Sequence, residues 1–132
     1  MKIILLDGTE LESLGVHGRT ITYQGINRDS LIFIFDPNVV DINTVKEKFT
    51  PENCESIILV EDHDEFIHEN YCIRTELGQT DRSLLLNEIS RNDGVQSSEV
   101  VYVKMAQMSY TEMQVKKQQE AIDALIINSL EG

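Results

Sequence analysis

Val100-Val101-Tyr102-Val103-Lys104-Met105 leads almost directly into Met108-Ser109-Tyr110-Thr111-Glu112-Met113-Gln114-Val115-Lys116-Lys117-Gln118-Gln119-Glu120-Ala121-Ile122-Asp123-Ala124-Leu125-Ile126-Ile127-Asn128. The first run reads as a strand with Val101, Val103 and Met105 on its inward face. The second contains neither Gly nor Pro and is rich in the helix formers Gln, Glu, Lys, Ala and Met. Ser109 followed three residues later by Glu112 has the spacing of a capping box, in which each residue satisfies an unpaired N–H near the other. A strand followed by a helix about six turns long is therefore expected to close the chain.

That helix is unevenly apolar. Ile122, Leu125 and Ile126 gather late, whereas Lys116 to Glu120 is polar on nearly every side. Such a helix lacks the continuous stripe that would hold it along its own domain, and it suits docking on another chain. Val115, Ile122, Leu125 and Ile126 are the candidate partner-binding residues. The spacing Val115, Gln118, Ile122, Leu125, Ser129 alternates four and three as a coiled-coil seam does, but Gln118 and Ser129 weaken it. Short isolated helices barely persist in water, so docking into a groove is expected in preference to a free-standing coiled coil. The competing expectation is that the helix folds back over its own sheet.

Upstream, the chain has the texture of an antiparallel β domain. Lys2 to Leu6 and Thr9 to Leu14 flank the turn signal Asp7-Gly8. Thr20 to Gln24 alternates, with Ile21 and Tyr23 on one face. Ser30-Leu31-Ile32-Phe33-Ile34-Phe35 is apolar on both faces and stops at Asp36-Pro37, so a central strand covered on both sides is expected. Glu55 to Glu61 and Glu65 to Leu77 read as a hairpin turning near Asp62-His63-Asp64, with Tyr71, Ile73, Thr75 and Leu77 sharing one face of the longer arm. One short helix interrupts the strands near 42–49: Asp41 can cap it, and Ile42, Val45 and Phe49 fall on one side. Thr50-Pro51 ends it. Residues 78–98 are polar and turn-rich apart from Leu84-Leu85-Leu86, and are expected to form a mobile or functional loop. The predicted fold is α+β, mainly antiparallel β: a small β-barrel or β-sandwich body over 1–108 with one short helix, and a C-terminal assembly helix over 109–132.

Composition narrows the function. The net charge is −12, with 23 acidic residues against 11 Lys plus Arg. Residues 109–132 hold four of the acids and two of the lysines, so the deficit belongs to the body and not to an acidic tail. A surface this negative repels phosphate backbones, which argues against nucleic acid as a partner. No run of about 18 apolar residues is present to span a membrane. The short apolar start, Ile3 to Leu6, meets a turn too soon for a secretory leader, so synthesis and retention in the cytoplasm are expected, at least at first. Cys54 and Cys72 have no metal spacing and read as half-buried reduced thiols.

Catalytic and metal readings are weak. Asp62-His63-Asp64-Glu65-Phe66-Ile67-His68-Glu69 gathers ligand types for a divalent ion. A hairpin turn at 62–64 nevertheless separates His63 from His68 by roughly 15 Å or more. His68 and Cys72 on one extended arm stand about 13 Å apart, beyond nucleophile–base reach. Gly15-Val16-His17-Gly18 reads as a flexible turn between strands. No nucleophile-elbow, Walker or dinucleotide pattern occurs. The sequence predicts no catalytic residues, no metal and no cofactor.

The opening Met1-Lys2-Ile3-Ile4-Leu5-Leu6-Asp7-Gly8-Thr9-Glu10 is followed by Gln24-Gly25-Ile26-Asn27-Arg28-Asp29-Ser30-Leu31, Phe49-Thr50-Pro51-Glu52-Asn53-Cys54-Glu55-Ser56-Ile57 and Tyr71-Cys72-Ile73-Arg74. The chain then closes with Val103 to Glu112 and Ile122-Asp123-Ala124-Leu125. This layout resembles small structural proteins encoded near the tail and baseplate genes of phages and prophages of Gram-positive bacteria. The resemblance covers most of the chain, though the polar 78–98 segment has no counterpart in it. It implies a non-enzymatic subunit whose partners are other structural proteins of the particle, copies of itself, or both. It places the chain in the host cytoplasm during assembly and then in a virion or phage-tail-like particle. Two rival readings remain. One is a receptor- or glycan-binding module using Tyr23, Tyr71 and Tyr102, with or without Ca²⁺. The other is an acidic phage-encoded inhibitor that mimics DNA.

Overall fold

Leu31, Ile32, Phe33, Ile34 and Phe35 are all buried, as a strand apolar on both faces requires. The computed structural model describes residues 1–85 and 99–131, with side chains followed to Ile126 in the last helix. Its elements are β1 (Lys2–Ile4), β2 (Glu10–Glu12), β3 (Gly15–Tyr23), β4 (Ile26–Phe35), α1 (Ile42–Lys48), β5 (Ser56–Glu61), β6 (Asp64–Glu69), β7 (Ile73–Asp81), α2 (Arg82–Leu85), β8 (Glu99–Ala106) and α3 (Tyr110–Glu131). They form two four-stranded antiparallel sheets, ordered β2-β1-β5-β6 and β3-β4-β8-β7. The sheets do not close into a barrel, so of the two expected bodies the chain forms the sandwich.

The inner faces share one core. Ile3, Leu5, Leu11, Ile57 and Leu59 from the first sheet side meet Leu31, Phe33, Phe35, Val101, Val103 and Met105 from the second. Burying each such side chain stabilises the fold by about 1.5–3 kcal/mol. α1 lies against β7 and β8. Asp41 caps it, its carboxylate accepting from the Thr44 N–H at 2.8 Å. Val45 and Phe49 are fully buried, and the Phe49 ring meets Phe33 at 5.0 Å and Phe35 at 5.9 Å between centroids. β4 lies inside its sheet, and its second face (Ile32 and Ile34) packs with Val100 and Leu85. The expectation of a central strand covered on both sides therefore holds.

Several boundaries differ from the sequence reading. Gly15-Val16-His17-Gly18 is not a turn; it opens β3, pairing with Ile34 to Leu31. The turn falls at Gln24 and Gly25, both left-handed (φ 54° and 75°), the conformation that suits a two-residue hairpin with right-handed strand twist. The arm read as one strand from Glu65 to Leu77 breaks at Asn70 (φ 66°). β6 stays in the first sheet while β7 crosses to the second. Tyr71 and Cys72 are consecutively buried at that crossing, so the alternation predicted through them fails. A register shift between Arg74 and Glu76 interrupts β7 as well. Residues 78–81, expected in a polar loop, extend β7 against β8, and 82–85 form α2. The rest of that segment, 86–98, lies outside the described residues. The Asp7-Gly8 hairpin is present with shorter strands, Lys2–Ile4 and Glu10–Glu12.

Candidate functional site

The last helix starts where β8 ends, and two neighbouring segments, at Asp29 and at Glu69-Asn70, hold its root. The Gln107 N–H donates to the Asp29 carbonyl and the Met108 N–H to that of Asn70, both at 2.9 Å. The Gln107 amide reaches the Glu69 carbonyl at 3.0 Å. The capping box is formed as its spacing predicts: the Glu112 carboxylate accepts from the Ser109 N–H at 2.8 Å, and the Ser109 hydroxyl accepts from the Glu112 N–H at 3.2 Å.

Glu112 does more than cap. It receives both terminal nitrogens of Arg28, Nη1 at Oε1 and Nη2 at Oε2, the latter at 3.0 Å. Arg28 is 4% exposed, and its Nε and Nη1 also donate to the carbonyls of Tyr23 and Gln107 at 3.2 Å. A buried guanidinium needs its donors occupied, and here carboxylate and carbonyl oxygens occupy them. The Arg28 bonds, then the Ser109 N–H, pull the Glu112 carboxyl down to about 2, and Glu112 raises Arg28 in return. One turn on, Lys116 Nζ meets Glu55 Oε1 at 2.8 Å, and that bond raises its pKa.

Beyond this root the helix leaves the body. Every side chain from Lys117 to Ile126 is exposed, among them Ile122 at 50%, Leu125 at 66% and Ile126 at 53%; Val115, nearer the root, is at 59%. At 3.6 residues per turn these four candidate partner-binding residues fall within an arc of roughly 100°. The two residues bonded to the body, Glu112 and Lys116, centre roughly 100° away from that arc. The helix thus turns its charged and capped side to the sandwich and its apolar side outward.

Sequence reasoning missed Arg28. It stands 84 positions from Glu112, so no local spacing links them. The available signal was a lone cation at the entry to a strand that turns apolar on both faces, in an acidic chain.

The other candidate groups are dispersed. His63 is exposed in the β5–β6 turn, while the His68 ring packs edge-on to Tyr71 at 5.8 Å. Among the described residues no three His, Cys, Asp or Glu side chains gather as a metal set. Cys54 and Cys72 are free thiols and both buried, not half-buried. Burial pushes them up to about 12 and about 11, far from thiolate chemistry at neutral pH. Of the tyrosines proposed for glycan contact, Tyr71 is buried. Tyr102 donates its hydroxyl to Glu76 and lies under Lys104 Nζ, 5.8 Å from the ring centroid. Among the described residues no helix is long and apolar enough to cross a membrane. No protein-family model, curated protein or solved structure matches the chain.

Proposed function

We propose that the chain is a non-enzymatic structural subunit of a phage tail, baseplate or phage-tail-like particle, and that it joins its neighbours through α3. The single observation that carries the assembly role is the division of the helix. Its root is pinned to the sandwich by Arg28–Glu112 and Lys116–Glu55, while Val115, Ile122, Leu125 and Ile126 stay exposed on another side. Two ion pairs fix the direction in which the helix leaves the body, so the apolar arc is presented at a set angle. An arm ordered before contact loses less conformational entropy on docking. Covering Ile122, Leu125 and Ile126, now half to two-thirds exposed, contributes about 1–2 kcal/mol for each. The particle assignment rests on the resemblance of sequence layout. The raised, buried thiols favour the non-enzymatic part of the reading.

The partners are other structural proteins of such a particle, copies of the chain, or both. The subunit resides in the host cytoplasm until assembly and then in the particle. The test is immunodetection in particles purified from producing cells, comparing the native chain with Leu125→Asp/Ile126→Asp. The native chain is expected in the particle fraction at fixed stoichiometry and the variant in the unassembled pool. Absence of the native chain from every particle fraction, or equal incorporation of the variant, overturns the proposal.

A further inference from the structure

β6 is the outer strand of the first sheet. It carries neither Pro nor Lys, two of the residues with which edge strands commonly block further pairing. Asn70 donates to the Glu55 carbonyl at 2.9 Å. On this antiparallel ladder the hydrogen-bonded positions opposite β5 are therefore Asn70, His68, Phe66 and Asp64, and the backbone groups of Glu65, Ile67 and Glu69 turn away from β5. The Glu69 carbonyl is taken by Gln107 Nε2 at 3.0 Å. Among the described residues nothing bonds to the N–H and C=O of Glu65 or Ile67. Phe66, on the core-facing side of the strand, is 49% exposed, and Ile67 on the other side is 63% exposed. His68 Nδ1 is buried without a hydrogen-bond partner.

We infer that β6 pairs antiparallel with β6 of a second copy of this chain, about a two-fold axis at Phe66, joining two first sheets into one of eight strands. A two-fold axis perpendicular to a sheet keeps each face on its own side, so residues of like parity must oppose one another. With the axis at Phe66, Glu65 exchanges two backbone bonds with the partner's Ile67, and Ile67 exchanges two with the partner's Glu65. All four edge groups are satisfied. The same register sets Phe66 beside the partner's Phe66 in the closer, non-hydrogen-bonded type of pair. It also sets Asp64 opposite the partner's His68 at both ends, a carboxylate facing an imidazole across the new ladder.

The neighbouring register, with its axis at Ile67, fails on two counts. It opposes Glu65 to the partner's Glu69, a like-charge pair, and it needs the carbonyl that Gln107 already occupies. Charge complementarity and backbone accounting therefore select the same partner and the same alignment.

The test uses the full chain. Sedimentation of the native protein at micromolar concentration should give twice the chain mass, and a monomer there overturns the inference. Phe66→Lys, which sets two cations at the axis, should give a monomer with an unchanged circular dichroism spectrum. Leu125→Asp/Ile126→Asp should leave the dimer intact. A dimer that survives Phe66→Lys, or that is lost instead with the helix variant, belongs to another surface and refutes the assignment. Register is read by cysteine cross-linking. Phe66→Cys should be captured as a disulfide dimer on mild oxidation, since facing Cα atoms in such a pair lie about 4.5 Å apart. Ile67→Cys, which sits opposite the partner's Glu65, should not. Efficient linking at Ile67 but not at Phe66 would refute the proposed axis.

Discussion

Arg28 in β4 and Glu112 in the first turn of α3 form a two-pronged ion pair across 84 positions of chain. The arginine side chain is 1% exposed and the glutamate side chain 31%. The buried partner is thus fully committed, while the carboxylate remains partly in water. Because Glu112 also closes the capping box, one side chain both starts the helix and fastens it to the sandwich.

Glu112→Ala should cost about 3 kcal/mol of unfolding free energy. It leaves a buried guanidinium without its carboxylate, and the value falls at the low end of such losses because the pair is open to water on one side. Glu112→Gln, which keeps the capping acceptor, should cost less. Urea denaturation of the three proteins gives the ranking. An alanine variant as stable as the native chain would show that the pair holds no part of the fold.

The same pair sets a limit at low pH. The Glu112 carboxyl lies near 2 in the folded chain against an ordinary value of 4.5. Its contribution is therefore complete above about pH 4.5 and is lost as pH falls toward 2. The stability difference between native protein and Glu112→Gln should be constant at neutral pH and shrink through this window. A difference unchanged down to pH 2 would contradict the assignment.

Removing residues 120–132 should lower the melting temperature little. The described side chains from Lys117 to Ile126 are exposed, so few body contacts go with them, and both ion pairs remain. Assembly should nevertheless be lost. A truncated chain that unfolds would show that the end of the helix belongs to the core, the competing expectation from sequence.

Gly78→Ala tests the packing of β7 on β8. A Cβ at this position would lie 2.8 Å from the Tyr102 hydroxyl oxygen and 3.1 Å from two ring carbons. Glu76 holds that hydroxyl, so the ring cannot swing aside without losing its hydrogen bond. A loss of about 1–3 kcal/mol is expected. Tyr102→Ala/Gly78→Ala together should remove the clash part of that loss, measured as a coupling in a double-mutant cycle.

The local elements were legible because their causes are local. Capping residues marked the starts of α1 and α3: Asp41 and the Ser109–Glu112 box act over three residues. The two-faced apolar run at Leu31–Phe35 announced an interior strand for the same reason. Each depends on neighbours within a turn or along a strand, and a sequence displays those directly. The exposed arc of Val115, Ile122, Leu125 and Ile126 was legible by periodicity alone.

What only the tertiary structure decided lies wherever distant segments compete for one backbone or one charge. Asn70 in a left-handed conformation lets the chain leave one sheet for the other, and consecutive burial of Tyr71 and Cys72 follows from that crossing. Alternation cannot reveal it, because period two assumes a strand that stays in one sheet. Arg28 became the anchor of α3 because folding brings the start of β4 beside the end of β8. The direction of the helix therefore depends on a long-range pair whose partners carry no mark of each other in sequence. The chain by itself determined the two landmarks, the interior strand and the last helix, together with α1 and the first and third hairpins, through side-chain periodicity and capping. The start of β3, the break between β6 and β7, and residues 78–85 it did not. The fold decided those and which segments meet, because burying a charge or ending a strand is settled by what packs against it.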